Sequence, residues 1–243
     1  MKGFTIFGFL MVVVLLAGCA STGGADKLTA EDLFDQFVEA AYGSDGMSAH
    51  SSITMSGTLI IDDFGLEGPV KTKQMAPDYF LADTEVMGMN ITQGCKADLC
   101  WDQQPGQSAQ RVQGPPLAIL SQQADFFQWE NMDKYYDSLE VVVPAEDDAS
   151  RYHKVRAVRA NGDEDFYYFS KETGLLAGSE LMIHSPQGSM RITSRLNNYR
   201  EFGSMLVPTE TVQETPMATI KIVVDEVSFA PLSESDFPVP QGL

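Results

Sequence analysis

Cysteine, histidine, serine and paired carboxylates are the side chains that could carry chemistry, and this 243-residue chain uses the first two sparingly, with three of each. Cys95 and Cys100 flank Lys96-Ala97-Asp98-Leu99, a spacing that a hairpin turn closes, so they read as a disulfide pinning one hairpin. The alternative is a pair of free thiols or half a metal site. His50, His153 and His184 lie far from that pair in sequence and show no HExxH or related metal spacing. Gly188-Ser189-Met190 and Gly203-Ser204-Met205 read as turns, and no Gly-x-Ser-x-Gly elbow occurs. Asp62-Asp63 and Asp147-Asp148 fall in expected loops as solvated faces, and no glycine-rich phosphate cradle follows a strand. The expectation is a protein with no catalytic residues, no metal and no cofactor.

The third cysteine, Cys19, sits in a different setting. Lys2 gives a positive start, Phe4 to Leu16 is an almost unbroken apolar run, and Leu16-Ala17-Gly18-Cys19 follows. That is the layout of a secretory signal, too short for the roughly 20 residues of a membrane span. Leu-Ala-Gly-Cys resembles the bacterial lipobox, whose cysteine thiol is acylated and becomes the mature N-terminus; the alternative is an ordinary signal peptide with a chance cysteine. The lipobox implies a lipid anchor, stable where two or more acyl chains insert, and a domain in an oxidising compartment. Ala20 after the cysteine, rather than Asp, leans towards the outer membrane, with the domain facing the periplasm.

The 224 residues beyond Cys19 suit one large domain, especially an all-β one. There are 34 acidic residues against 16 basic, a formal charge of −18 that becomes −19 when Lys2 is removed. Such a surface argues against nucleic acid and against electrostatic docking on anionic lipid.

The elements follow from the pattern. Residues 1–19 are the signal, 20–28 a small polar tether, and 29–243 one domain. Thr29 caps an amphipathic helix over about 30–42, ended by Gly43, with Leu33, Phe34, Phe37, Val38 and Ala41 on its apolar face. From Ser52 the period becomes two: Ile53, Met55, Gly57, Leu59 and Ile61 alternate with polar residues. A meander of strands runs to Asp102, and Gln103-Gln104-Pro105-Gly106 closes that half. Gly114-Pro115-Pro116 opens a second helical region carrying Leu117, Leu120, Ala124, Phe126, Phe127 and Trp129. Strands resume from Leu139 to Phe229. About ten or eleven strands must curl, and helices over the concave side solve the burial problem.

Several segments carry a resemblance. They include the helix before Ile53-Thr54-Met55-Ser56-Gly57-Thr58-Leu59, Ala76-Pro77-Asp78-Tyr79-Phe80, Cys100-Trp101-Asp102, Tyr167 to Leu176, Val207-Pro208, and Ile220 to Val227 running on to Asp236-Phe237. In this order the chain, from roughly 30 to 243, resembles the LolA/LolB-like superfamily, in particular the outer membrane lipoprotein-sorting proteins. The resemblance implies a strongly curved, unclosed antiparallel half-barrel holding an apolar cavity under a helical lid, with lipid or a lipoprotein acyl chain as ligand. Ala76-Pro77-Asp78 stands where the carrier has an arginine-bearing segment, so its gating chemistry does not carry over. Met87-Gly88-Met89, two methionines flanking a turn glycine, is the analogue this chain offers of the receptor's protruding apolar hairpin; the alternative is that both methionines are core or incidental.

Ten methionines remain beyond the signal, and methionine suits adaptable apolar pockets. Phe34, Phe37, Phe126, Phe127 and Trp129 on helices, facing Ile53, Met55, Leu59, Phe80, Ile91, Trp101 and Ile222 on strands, are the candidate cavity wall. The same residues could fill a solid core. Two readings follow: a non-catalytic, membrane-anchored lipoprotein that binds or transfers a lipid or acyl chain, or an interaction or envelope-sensing lipoprotein that holds a protein partner on a filled core.

Overall fold

The period-two alternation that begins at Ser52 becomes one continuous sheet in the computed structural model, which describes residues 28–185 and 188–243. The signal segment with Cys19, and residues 20–27 of the tether, lie outside the described residues. Two meanders build the sheet. The first comprises β1 (Ser52–Ile61), β2 (Leu66–Met75), β3 (Tyr79–Val86), β4 (Met89–Lys96), β5 (Leu99–Gln103) and β6 (Gln110–Arg111). The second comprises β7 (Ser138–Val142), β8 (Tyr152–Val158), β9 (Glu164–Ser170), β10 (Leu176–Ser185), β11 (Gly188–Phe202), β12 (Met205–Glu214) and β13 (Thr219–Ser228). They join by antiparallel pairing of β1 with β13, giving the order β6-β5-β4-β3-β2-β1-β13-β12-β11-β10-β9-β8-β7. The sheet is curved and unclosed, with β6 and β7 as its edges. Thirteen described strands exceed the expected ten or eleven, in part because β6 is two residues long and leaves no periodic signal.

This order decides where the helices go. Each neighbouring pair within a meander needs only a short turn, but the chain from β6 to β7 must travel from one edge of the sheet to the other. It does so across the concave face, through α2 (Pro115–Ala124) and two short 3-10 turns, Gln128–Glu130 and Met132–Lys134. α2 touches β3, β4 and β5 on one side and β10 on the other, so it bridges the curl.

The first helix, α1 (Ala30–Tyr42), starts at a capping box. Thr29 Oγ1 accepts from Asp32 N–H at 3.1 Å, and the Asp32 carboxylate accepts from Thr29 N–H at 2.8 Å. Gly43, at a positive φ of 76°, ends it. Its buried face, Ala30, Leu33, Phe34, Phe37 and Ala41, docks on Val155, Ala157, Tyr167, Phe169 and Leu176 of β8, β9 and β10. On the opposite, convex face, Leu81 and Trp101 are covered by Phe237 from the C-terminal tail.

α2 stops sooner than its apolar stripe suggests. Asp125 turns its carboxylate back to accept the Phe127 N–H at 2.8 Å, a local side-chain bond that draws the backbone out of the helix. Phe126 and Phe127 therefore stand in a turn, and Trp129 in the following 3-10 turn, not on a continued helix.

Candidate functional site

The concave side is not filled. A cavity of about 340 Å³ lies between a floor of β1, β2, β12 and β13 and a roof made by the end of α1 and the segment after α2. Ile53 and Met55 of β1, Val70 of β2, Val207 of β12 and Ile222 and Val224 of β13 supply the apolar floor. Tyr42, Met47, Phe126 and Trp129 supply the roof. At its closed end Met47, Ile53, Phe126, Met205 and Val207 form a buried cluster. β1 runs on from Ile53 past Met55 to Gly57, and Thr211 and Gln213 of β12 also line the wall. A register shift between Ser56 and Gly57 opposite β13 marks a bulge. A Cβ at Gly57 would stand 1.9 Å from Val223 O, so only glycine lets the two strands meet there. Thr72, Gln74, Gln123 and Gln128 complete the polar part of the wall. Gln74 Nε2 donates to Gln123 O at 2.6 Å, and Phe126 N–H to Pro77 O at 2.9 Å, so the roof is fastened to the β2–β3 side. Among the described residues, no charged side chain lines the cavity.

No family model matches the sequence, and no curated protein matches it. Solved structures do match. A LolA superfamily protein from Nitrosomonas europaea superposes with a TM-score of 0.57 at 14% identity, covering 88% of this chain and 99% of that one. The chain has the LolA/LolB-like fold. A DUF1329 family protein from Desulfovibrio piger gives a TM-score of 0.59 at 14% identity, over 86% of this chain and 97% of that one. An outer membrane lipoprotein-sorting protein domain from Vibrio parahaemolyticus gives 0.54 at 13%, over 86% and 97%.

On this LolA/LolB-like fold the expected wall residues divide. Ile53, Met55, Phe126, Trp129 and Ile222 line the cavity together. Phe34 and Phe37 do not, because their rings are used in docking α1: Phe34 lies 5.0 Å from Phe169 and 5.4 Å from Tyr167, centroid to centroid. Phe37 packs edge-on behind Trp129 at 5.3 Å. Phe127 packs against the closed-end cluster from outside. Phe80 is covered by Leu120 and Ala124 of α2 and by Cys95 and Cys100. Leu59 pairs with Ile222, and Ile91 with Thr84; their alternation puts both on the concave face, further out along the sheet than the cavity. Trp101 is on the wrong face altogether. Phe80 pairs with Cys95 and Cys95 with Cys100, so the next residue, Trp101, points to the convex side.

Cys95 and Cys100 form a disulfide with an S–S distance of 2.02 Å across the β4–β5 hairpin. Met87 and Met89 flank the β3–β4 turn with 71% and 47% of their surface exposed, so neither belongs to the core.

Beside the cavity lies a buried polar network with no counterpart in the sequence reading. Arg159 Nε donates to Asp165 Oδ2 at 2.7 Å, and Nη2 donates to Gln122 Oε1 at 2.9 Å and Tyr136 Oη at 2.8 Å. Tyr136 in turn donates to Asp165 Oδ2 at 2.8 Å and meets the Tyr167 hydroxyl at 2.6 Å. Asp165 Oδ1 accepts from Met182 N–H at 2.8 Å. Burial pushes the Tyr167 phenol up to about 12 and raises Tyr136 further, so both stay protonated donors. Through Gln122 the network ties α2 to the β8–β9 hairpin. The one legible signal was that Arg159 and Asp165 flank a single turn in an otherwise alternating pair of strands.

At the rim, His184 Nε2 meets Asp163 Oδ2 at 2.5 Å and Nδ1 meets Ser189 Oγ at 2.6 Å. This acid–imidazole–hydroxyl line ties the β8–β9 turn to the β10–β11 hairpin, away from the cavity, with Ser189 exposed. Among the described residues, no three His, Cys, Asp or Glu side chains gather to hold a metal ion, and no helix is long and apolar enough to cross a membrane.

Proposed function

We propose that the protein is a lipoprotein anchored through Cys19 in the outer membrane, facing the periplasm, that binds or transfers a lipid or lipoprotein acyl chain without catalysis. The observation that carries this reading is the cavity of about 340 Å³, apolar at its closed end and opening along the concave face. Its size falls in the range of ligand pockets, roughly 300–1,000 Å³. The sorting role named for the Vibrio neighbour agrees with it. Binding would be non-covalent burial of the chain, each methylene contributing about 0.8 kcal/mol, with the segment after α2 controlling entry.

The buried clusters are built from residues 30–237, so the domain beyond the tether carries its own core. A soluble form beginning at Ala20, exported to the periplasm, is therefore the sample for native mass spectrometry and organic extraction. A stoichiometric lipid is the expected result, and Ile222→Trp, which fills the cavity from the floor, removes it while the domain stays folded. An empty protein that binds no chain sinks the reading.

One observation favours the interaction reading. Phe64 in the β1–β2 turn and Met217 in the β12–β13 turn are 62% and 74% exposed. They sit on neighbouring tips, since Asp63 Oδ2 accepts from Thr219 N–H at 2.7 Å. Cross-linking from these tips to a protein partner, in cells whose extracted domain carries no lipid, would favour it.

A further inference from the structure

The chain enters the domain close to the cavity's roof. Leu28 packs with the cluster that α1 forms on β8, β9 and β10, on the concave face that also carries the cavity. Phe34 lies one helical turn past Ala30, about 6 Å along the axis, and its ring stacks on Trp129 of the roof at 6.4 Å between centroids. Leu28 is therefore about 15–20 Å from the cavity wall. Back from Leu28 to Cys19 are nine residue steps, through Ala-Ser-Thr-Gly-Gly-Ala-Asp-Lys. Nine steps reach at most about 30 Å, and a Gly/Ser-rich chain of that length averages about 15–18 Å end to end. Effective concentration is highest where the average length of a linker matches the distance it must span. Here the two lengths agree.

We propose that, away from a membrane, the cavity holds an acyl chain of the protein's own Cys19 anchor, and that inserting the anchor into a bilayer empties it; this rests on the chain-binding reading above and on acylation of Cys19. The buried cluster of Met47, Ile53, Phe126, Met205 and Val207 receives the chain by apolar burial. For the rest of the lipid the apolar surface runs on from Ile222. Leu59 pairs with Ile222, and Ile61 with both Leu66 and Ile220, all on the same face and only half-buried. A short linker gives an effective concentration on the order of 1 mM, so a chain with an intrinsic Kd of about 10 µM fills its own cavity in about 99% of copies. A bilayer takes all the chains of the anchor together and holds them stably, so it wins the competition. A copy in transit thus keeps its own lipid out of water, and only an anchored copy is open to another ligand.

The test compares three proteins in detergent-free buffer. They are the acylated full-length chain, the form beginning at Ala20 freed of lipid on a hydrophobic resin, and an acylated variant lacking residues 21–27. In that variant two steps from Cys19 to Leu28 reach only about 7 Å. The readout is quenching of Trp129 by acrylamide, since the second tryptophan, Trp101, is sealed on the convex face. The acylated chain should be monomeric by native mass spectrometry, yield no stoichiometric free lipid on extraction, and be quenched at least about threefold less than the Ala20 form, as near-complete occupancy requires. Phosphatidylcholine vesicles should raise its quenching to the Ala20 level. The short-tether variant should not stay monomeric, because its lipid cannot reach the cavity. Equal quenching of the acylated and Ala20 forms overturns the proposal, as does extractable free lipid filling the acylated chain. Shielding of Trp129 found only in dimers, or kept by a monomeric short-tether variant, overturns the own-copy occupant. The chain-binding reading is read separately: 11-(dansylamino)undecanoate should shield Trp129 in the Ala20 form, and its failure to do so overturns that reading itself.

Discussion

Among the described residues, Asp165 is the one carboxylate that pairs with Arg159, so Asp165→Asn removes the negative charge from the buried network, and the structure fixes how much that should cost. Asp165 is fully buried and Arg159 is 7% exposed. Both carboxylate oxygens already accept: Oδ1 from Met182 N–H, Oδ2 from Arg159 Nε and Tyr136 Oη. Whichever way an asparagine amide turns, its NH₂ faces a donor, and the guanidinium keeps only neutral partners, Gln122 and Tyr136. Breaking a buried pair from one side costs about 3–5 kcal/mol, a large part of a stability of about 5–15 kcal/mol. With a urea slope near 3 kcal/mol/M for a domain of this size, the midpoint should fall by about 1–2 M. Arg159→Met should cost about as much, leaving Asp165 buried and unpaired. The Arg159→Met, Asp165→Asn double variant should then cost less than the two singles together by at least about 2 kcal/mol. Urea unfolding followed by circular dichroism reads all three. A single-variant midpoint within about 0.3 M of the parent, or strictly additive losses in the double, would refute the reasoning.

The remaining expectations can be checked with the same purified domain. Replacing Cys95 and Cys100 by alanine removes a loop with a separation of five residues, worth about 2 kcal/mol by loop closure, so the melting temperature should drop about 4–8 °C while the sheet persists. Gly57→Val drives its side chain into Val223 O; it should destabilise by about 1–3 kcal/mol or more in thermal melts, whereas Val70→Ala on the adjacent strand should not approach that loss. Hydrogen bonds hold four carboxylates below their usual range: Asp32 through Thr29, Glu210 through Lys221, Glu234 through Lys96 and Asp236 through Ser233. Their contribution is complete above the unfolded values of 3.8 and 4.5 and disappears as pH falls through the lower folded values, so melting temperature should decline below about pH 4.5. Asp78 has the opposite sign, because burial, then Asp98 and Asp125, raise it. Asp78→Asn should therefore raise the melting temperature at pH 7 by about 1–2 °C, and the gain should vanish in acid, where Asp78 is already protonated.

What could be read from sequence and what could not divide along a physical line. The α1 cap, the Gly43 stop and the β1 alternation are set by neighbours within a few residues, and the sequence expectation matches the structure at each. The faces of Phe80 and Trp101 depend on register across two hairpins. Reading each strand's apolar residues alone put both on the concave side, although the cross-strand pairing of Cys95 with Cys100 forces them apart. The end of α2 depends on one carboxylate folding back, and the buried Arg159 network joins residues up to 37 positions apart.

The same distinction explains why the cavity is where it is. α1 has the aromatic residues that a lid would use, yet Phe34 is engaged by Tyr167 and Phe169, and Phe37 by Phe169 and Trp129. The helix thus closes the β8–β10 half of the sheet as solid core. Over β1, β2, β12 and β13 the roof comes from Phe126 and Trp129, on a segment that left its helix at Asp125 and is held by the Phe126 N–H bond to Pro77 O and by Glu130 Oε1, which accepts from Met47 N–H at 2.8 Å. A short turn cannot fill a concave floor as a helix can, so space remains beneath it. The cavity therefore has a local origin: the break at Asp125 puts a short turn, with Phe126 and Trp129, over the floor where a continued helix would have filled it.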